Sequence, residues 1–116
     1  MVLRYMDSKK NDKYYAEKAV EQIDIINKYI DSKKYDEFIS NDQLVDAILF
    51  RLVQLVENIK NLSIEVKENN PQIPWGKIMG FRNGIVHEYG KTDYTIVYEV
   101  VTNNLVQLKE TLQSIK

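Results

Sequence analysis

The chain has 116 residues, of which 44% are hydrophobic and 28% are charged, and its formal net charge is −1. These totals predict a single globular domain over residues 1–116 and exclude an overall basic surface that would hold nucleic acid non-specifically. The absence of cysteine and the single histidine exclude disulfides, thiol catalysis and a metal site of several histidines within one chain. A carboxylate magnesium site is still compatible with the sequence but has no signature in it, and the expectation is that neither a metal nor a cofactor is bound.

The hydrophobic segments are too short for a membrane protein. No run approaches 18 apolar residues, and residues 1–10 lack the apolar core of a signal peptide. We therefore expect a cytoplasmic protein with no membrane partner.

The first predicted element is an amphipathic helix. Apolar residues between Ala16 and Ile30 recur every three or four positions, which predicts a helix from about Asn11 to Ser32. Ser8 or Asn11 could cap its start. Residues 35–39 are expected to form a short connector.

A second helix is predicted to begin at Ser40, because Ser40 and Gln43 have the spacing of a capping box and Asp42 suits the positive first turn. Its apolar face over residues 44–62 is too wide for one stripe, which indicates burial on more than one side and a surface for a second copy. The polar stripe that remains is narrow and consists of Asp46, Phe50, Gln54, Glu57 and Asn61. Phe50 is either an ordinary, partly exposed aromatic or an interface anchor.

The third helix is predicted from its boundaries. Pro71, after two asparagines, ends the second helix or its tail. Pro74 suits the first turn of a helix from Trp75 to Tyr89, and Gly90 is its expected left-handed stop.

The C-terminal part is expected to be helical as well. Thr92 and Asp93 can cap a short helical piece over residues 94–101, and residues 102–104 should break or bend the chain before a last amphipathic helix. No segment alternates convincingly with a period of two. The predicted fold is therefore an all-α bundle of four or five helices.

Three glycines lie along one side of the third helix. Gly76, Gly80 and Gly84 are spaced four apart, and each interior glycine costs about 1 kcal/mol relative to alanine. A cost of this size indicates close approach of another backbone or of a ligand, or else tight packing of helices inside the monomer.

His87 and Arg82 are candidate catalytic residues on the same helix. They are five residues apart, which places them about 140° apart on an ideal helix, so they form a poor pair within one chain. Across a two-fold axis, two copies of the helix could bring both pairs into one cleft. Taken alone, a histidine near a helix C-terminus is more often a favourable partner of the helix dipole, and an arginine a solvated charge.

The octapeptide from Arg82 to Tyr89, RNGIVHEY, resembles the R-x-x-x-x-H-x-Y signature of HEPN domains, and of their HepT-like branch in particular. The resemblance continues downstream through Gly90 and residues 93–99 into the last helix, and upstream through Trp75 and two long helices in the right order. It covers nearly the whole chain except the first ten residues.

The resemblance implies an all-α homodimer that acts as a metal-independent endoribonuclease toxin of a type VII toxin–antitoxin pair. Arg82 and His87 would be the catalytic pair, and Asn83 a supporting polar residue. An MntA-like nucleotidyltransferase antitoxin would silence the toxin by transferring AMP to Tyr89. The resemblance suggests RNA as the substrate, and transfer RNA for some members.

These residue types suit RNA cleavage without a metal. Histidine can move protons near neutral pH, and a guanidinium can stabilise the charge on the phosphorane without losing its proton. Two other readings remain open. The chain could be a non-catalytic partner subunit whose Arg82 and His87 bind a nucleotide or brace the nucleotidyltransferase. It could also be a dimeric scaffold in which these two residues lie in unrelated environments.

Overall fold

In the computed structural model, residues 11–116 are described, and they form an all-α bundle with no strand in that range. The helices are α1 (Asp12–Ile30), α2 (Tyr35–Ile39), α3 (Asp42–Lys60), α4 (Ile64–Asn69), α5 (Trp75–His87), α6 (Tyr94–Glu99) and α7 (Leu105–Gln113). A 3₁₀ turn (Tyr89–Lys91) follows α5, and a π-helical turn (Val100–Asn104) joins α6 to α7. The predicted all-α class is confirmed. None of the described helices is both long and apolar enough to cross a lipid bilayer.

The residue that caps α1 is one of those predicted from the sequence, whereas the residue that caps α3 is not. Asn11 accepts the backbone N–H of Tyr14 at 3.0 Å, and the other candidate, Ser8, lies outside the described residues. The connector is a helical turn, α2, and Ser40 ends it by donating its N–H to the Asp36 carbonyl at 3.2 Å. The start of α3 is therefore capped by Asn41, which accepts the N–H of Leu44 at 3.1 Å, and the predicted capping box at Ser40 is wrong.

The second predicted helix is also divided at its far end. It stops at Lys60, and Ser63 caps a separate short helix, α4, by accepting the N–H of Val66 at 3.2 Å. Ser63 is held by Asp12, whose carboxylate accepts its N–H at 2.7 Å and its hydroxyl at 2.8 Å. This tertiary contact with the start of α1 fixes the division, and the local pattern does not reveal it.

The third predicted helix ends two residues early. Glu88 leaves the helix with φ −133°, and Tyr89 and Gly90 enter the 3₁₀ turn instead. None of the glycines in the described chain has a positive φ, so the predicted left-handed stop at Gly90 is wrong. Tyr89 accordingly follows α5 and is not part of it.

The C-terminal segment is continuous. Asp93 caps α6 by accepting the N–H groups of Thr95 and Ile96 at 3.0 and 3.3 Å, as predicted. At the expected break, residues 100–104 form a π-helical turn in which the Thr102 hydroxyl donates to the Tyr98 carbonyl at 2.7 Å. The widened turn absorbs the irregularity without ending the helix.

Four segments enclose the core: α1, α3, α5 and the continuous α6–α7. Helix α1 packs against α3 and α7, and α3 also packs against α5. The wide apolar face of α3 is buried in these contacts. Its buried residues are Val45, Ile48, Leu49, Leu52, Leu55, Val56 and Ile59. Its width is therefore explained within one chain, contrary to the expectation that it exceeds one core. Within the described chain, α5 does not pack closely against α7, which leaves one side of the bundle open.

Candidate functional site

Arg82 lies in the middle of α5, and its guanidinium reaches across to α3. Its Nε donates to Glu57 Oε1 at 2.9 Å, and its Nη2 lies 2.6 Å from the same oxygen. Nη1 donates to Asn83 Oδ1 at 2.9 Å. Three of the five N–H groups are thus engaged among the described residues, and one remains on each terminal nitrogen. The Glu57 carboxylate and the Asn83 amide oxygen fix the plane of a guanidinium that is 23% exposed, and its outer edge can still bind a phosphate.

His87 is the last residue of α5 and is exposed. Its imidazole makes no hydrogen bond or ion pair with any residue that the structure describes, Arg82 and Tyr89 included. Arg82 faces α3, so one chain does not bring the proposed catalytic pair together. Two hypotheses predict this separation: a catalytic cleft shared by two chains, and a scaffold without activity.

Tyr89 is anchored to the start of α3. Its hydroxyl donates to the Asp46 carboxylate, while 45% of the residue stays exposed. The hydrogen bond to Asp46 is the largest cause that raises the pKa of Tyr89 to about 12; partial burial and the nearby Asp46, Tyr94 and Asp42 add to it. The phenol therefore keeps its proton at neutral pH, and its hydroxyl lies at the surface.

The two anchoring carboxylates were not singled out from the sequence. Asp46 and Glu57 appeared only as members of the polar stripe on the second helix. They are eleven residues apart, which is about three turns, so they lie on one line along α3. On a largely apolar helix, two acids three turns apart predict polar contacts with a neighbouring helix that carries a basic residue and a hydroxyl.

An apolar surface separates the two anchors. Phe50, on the line between Asp46 and Glu57, is 55% exposed, and Val86 of α5 is 45% exposed. The Arg51 guanidinium lies 5.5 Å from the centre of the Phe50 ring. Phe50 therefore belongs to the same face as Arg82 and Tyr89, and both of its sequence interpretations still apply.

The glycines lie on an open side of α5. A Cβ atom built on Gly76, Gly80 or Gly84 meets no atom of the described chain within 4 Å. These glycines are therefore not explained by tight packing of helices inside the monomer. Gly80 and Gly84 line a cavity of about 200 Å³, together with Phe81, Ile85, Glu88, Lys91, Thr92, Asp93 and Ile96.

A larger groove continues from this cavity between α5 and the C-terminal helices. Its volume is about 310 Å³, and it shares Phe81 and Ile96 with the smaller cavity. Leu52, Leu55 and Val56 of α3 line it as well. Along residues 11–116, no group of three or more histidine, aspartate or glutamate side chains is arranged to hold a metal ion.

Comparison with known proteins identifies the family. The family model described as ribonuclease HepT-like matches residues 19–115. Because this match covers most of the chain, the chain belongs to the ribonuclease HepT-like family, as the motif from Arg82 to Tyr89 predicts. No solved structure matches the chain.

Individual relatives carry names of the same class. A protein of Methanocaldococcus jannaschii named "gamma-glutamylcyclotransferase and putative RNase" is 32% identical over 107 residues, which are 92% of this chain and 48% of the relative. A "putative RNase" of Caldanaerobacter subterraneus subsp. tengcongensis is 24% identical over 91% of this chain and 95% of its own. A "probable ribonuclease HepT" of Thermococcus cleftensis is 23% identical, with 93% and 98% covered. The chain thus spans about half of the first relative and nearly all of the other two.

Proposed function

We propose that the chain is a metal-independent endoribonuclease and the toxin of a toxin–antitoxin pair. The observation that carries this proposal is the orientation of Arg82 by Glu57 and Asn83, in a chain of the ribonuclease HepT-like family. Membership in the family and the names of the relatives support ribonuclease activity in general. The toxin role, the RNA cut and the residues that cut it are our proposals.

The proposed reaction uses the neighbouring 2′-hydroxyl of RNA as the nucleophile. His87 of one protomer removes the proton from this hydroxyl, and His87 of the other protomer protonates the leaving 5′-oxygen. Arg82 binds the non-bridging oxygens of the phosphorane through the N–H groups that Glu57 and Asn83 leave unused. A metal ion has no step in this scheme.

The proposed catalytic unit is a homodimer, because Arg82 and His87 do not meet within one chain. The open side of α5 supports this arrangement. A Cβ added to any of its glycines would meet no other part of the described chain within 4 Å, and the adjoining groove is lined mainly by apolar side chains. A second copy of α5 could approach this backbone closely, which would explain why one helix contains three glycines.

Silencing is proposed to occur by transfer of AMP to Tyr89 by an MntA-like nucleotidyltransferase. The exposure of Tyr89 supports this choice, because a second enzyme can reach its hydroxyl. An adenylyl group there would add bulk and a negative phosphate on the same face as Arg82, where substrate phosphate is expected to bind. Transfer RNA is the proposed substrate class.

A second candidate function is a non-catalytic subunit that braces the nucleotidyltransferase. The ion pair between Arg82 and Glu57 favours it, since this arginine is already partly neutralised. Total RNA incubated with the purified chain in EDTA separates the two functions. Cleavage that persists with EDTA and is lost in His87→Ala supports the ribonuclease, and intact RNA supports the bracing subunit.

A further inference from the structure

The carboxylate that holds Tyr89 has no part in the proposed RNA cleavage. Asp46 lies in the first part of α3 and accepts a hydrogen bond from the Tyr89 hydroxyl across the junction of α5 and the 3₁₀ turn. Both residues are exposed, so the pair lies at the surface of the bundle. This carboxylate is exposed to solvent and contacts the hydroxyl proposed for modification, so it is placed to take part in that modification.

We propose that Asp46 is the general base for the transfer of AMP to Tyr89, so that the acceptor protein supplies part of the catalytic machinery for its own modification. This inference rests on the proposed modification of Tyr89. In the step, the Tyr89 oxygen attacks the α-phosphorus of ATP and a new oxygen–phosphorus bond forms. The bond from the α-phosphorus to the bridging oxygen breaks, pyrophosphate leaves, and the phenolic proton moves to the Asp46 carboxylate.

The geometry favours Asp46 over the other charged groups around the phenol. Asp42 lies one turn earlier on α3, and Tyr94 begins α6; both raise the pKa of Tyr89 through their charge. Neither makes a hydrogen bond with the Tyr89 hydroxyl among the described residues, whereas Asp46 does. A general base has to lie within hydrogen-bond reach of the proton that it removes.

Two possible roles of Asp46 have opposite consequences, which makes them separable. If its negative charge only perturbs the phenol, its removal lowers the pKa of Tyr89 toward the ordinary value, and the hydroxyl becomes easier to ionise. Modification would then be unchanged or faster. If Asp46 takes the proton during attack, its removal slows modification although the phenol has become more acidic.

The substitution Asp46→Asn tests this directly, because asparagine keeps a hydrogen-bond acceptor but is not a base. The matched control is Asp42→Asn, which removes the same charge one turn away on the same helix. Each full-length variant, with the wild type and Tyr89→Phe, is incubated with the MntA-like nucleotidyltransferase, ATP and magnesium. The gain of about 329 Da per AMP is followed by intact mass over time, at several acceptor concentrations. Thermal unfolding establishes that the variants are folded.

We expect Asp46→Asn to lower kcat for modification by about 100-fold or more, the usual contribution of a general base. Asp42→Asn should change it by less than about threefold, in line with loss of one exposed charge. A modification rate of folded Asp46→Asn equal to or above that of the wild type would overturn the role of Asp46, and so would a change in KM alone, which indicates docking. If the wild type itself gains no AMP at Tyr89, the proposed modification fails, and the role of Asp46 with it.

Discussion

The two sides of α5 differ in what they contact. One side is tied to α3 through Arg82 with Glu57 and, just beyond the helix, through Tyr89 with Asp46. The other side carries glycines at which an added Cβ would meet no other part of the described chain within 4 Å, and it borders an open groove. One side is thus packed against the rest of the chain, whereas the other is left open.

The difference shows that a single chain can position the arginine but cannot complete the proposed site. Glu57 and Asn83 orient the guanidinium without a second copy. His87 lies exposed at the end of α5 and has no such support. The anchored side would therefore determine how well phosphate is bound. The glycine side would determine whether His87 of another protomer comes near the Arg82 guanidinium.

The largest effect is expected for His87, the residue without support within the chain. His87→Ala should lower the rate of RNA cleavage by about 10²–10⁴-fold, because it removes the group that moves protons. Arg82→Ala should be similarly inactive, and Arg82→Lys should not restore activity, since lysine lacks the planar fork. Cleavage of labelled RNA measures these rates. Full activity in the alanine variants, with unchanged melting temperatures, would contradict the catalytic assignment.

The next effect concerns the glycine side. A Cβ at position 84 would meet no other part of the described chain within 4 Å. Gly84→Leu should nevertheless raise the dissociation constant of the homodimer by about 10–100-fold, because overpacking a contact costs about 1–3 kcal/mol. Sedimentation equilibrium measures this constant. Gly90→Leu is the control, since Gly90 also has space around it but lies in the 3₁₀ turn.

Gly84→Ala sharpens the same comparison. It should stabilise a monomer by up to about 1 kcal/mol through helix propensity while weakening the dimer. A wild type that is monomeric at micromolar concentration, or a Gly84→Leu dimer as tight as the wild type, would show that the open side is not the dimer surface.

A smaller effect is expected on the anchored side. Glu57→Gln keeps a hydrogen-bond acceptor but removes the charge that holds Arg82, so RNA cleavage should fall by about tenfold, less than in Arg82→Ala. The drop should appear mainly as weaker binding of RNA phosphate at low salt. If cleavage rises instead, the ion pair restrains Arg82 and does not position it.

The smallest effect concerns the ionisation of Tyr89. The pKa of this phenol is raised to about 12, so ultraviolet difference titration against Tyr89→Phe should show it ionising above the ordinary value of about 10. The native state then binds the proton more tightly than the unfolded state. The stability that Tyr89 contributes is present below about pH 10 and is lost as the pH rises toward 12. In Asp46→Asn the pKa should fall toward 10; an unchanged pKa would show that the hydrogen bond is not its cause.

Much of the bundle could be predicted because its local signals agree with the tertiary structure. The apolar spacing in α1 and α3 and the caps at Asn11 and Asp93 express short-range physics. One boundary that differs was decided by a contact distant in sequence. Asp12 holds Ser63 and divides the predicted second helix, and no window around residue 63 contains that information.

The candidate site was predictable in part for the same reason. The motif identified Arg82, His87 and Tyr89, and helical geometry indicated that the first two diverge within one chain. The partners Glu57 and Asp46 depend on how α3 and α5 lie against one another, which their separate patterns do not specify. The openness around Gly80 and Gly84 is likewise a property of the assembled bundle.

The most direct test of a cleft shared by two chains is to mix two inactive variants. Arg82→Ala and His87→Ala are combined, allowed to exchange subunits, and assayed for RNA cleavage in EDTA. In a mixed dimer, the intact Arg82 of one protomer meets the intact His87 of the other, but only one His87 remains for the two proton transfers. We therefore expect part of the wild-type activity to return, clearly above that of either variant alone. If the mixture stays as inactive as its components after subunit exchange has been demonstrated, Arg82 and His87 do not act across the dimer, and the proposed site is wrong.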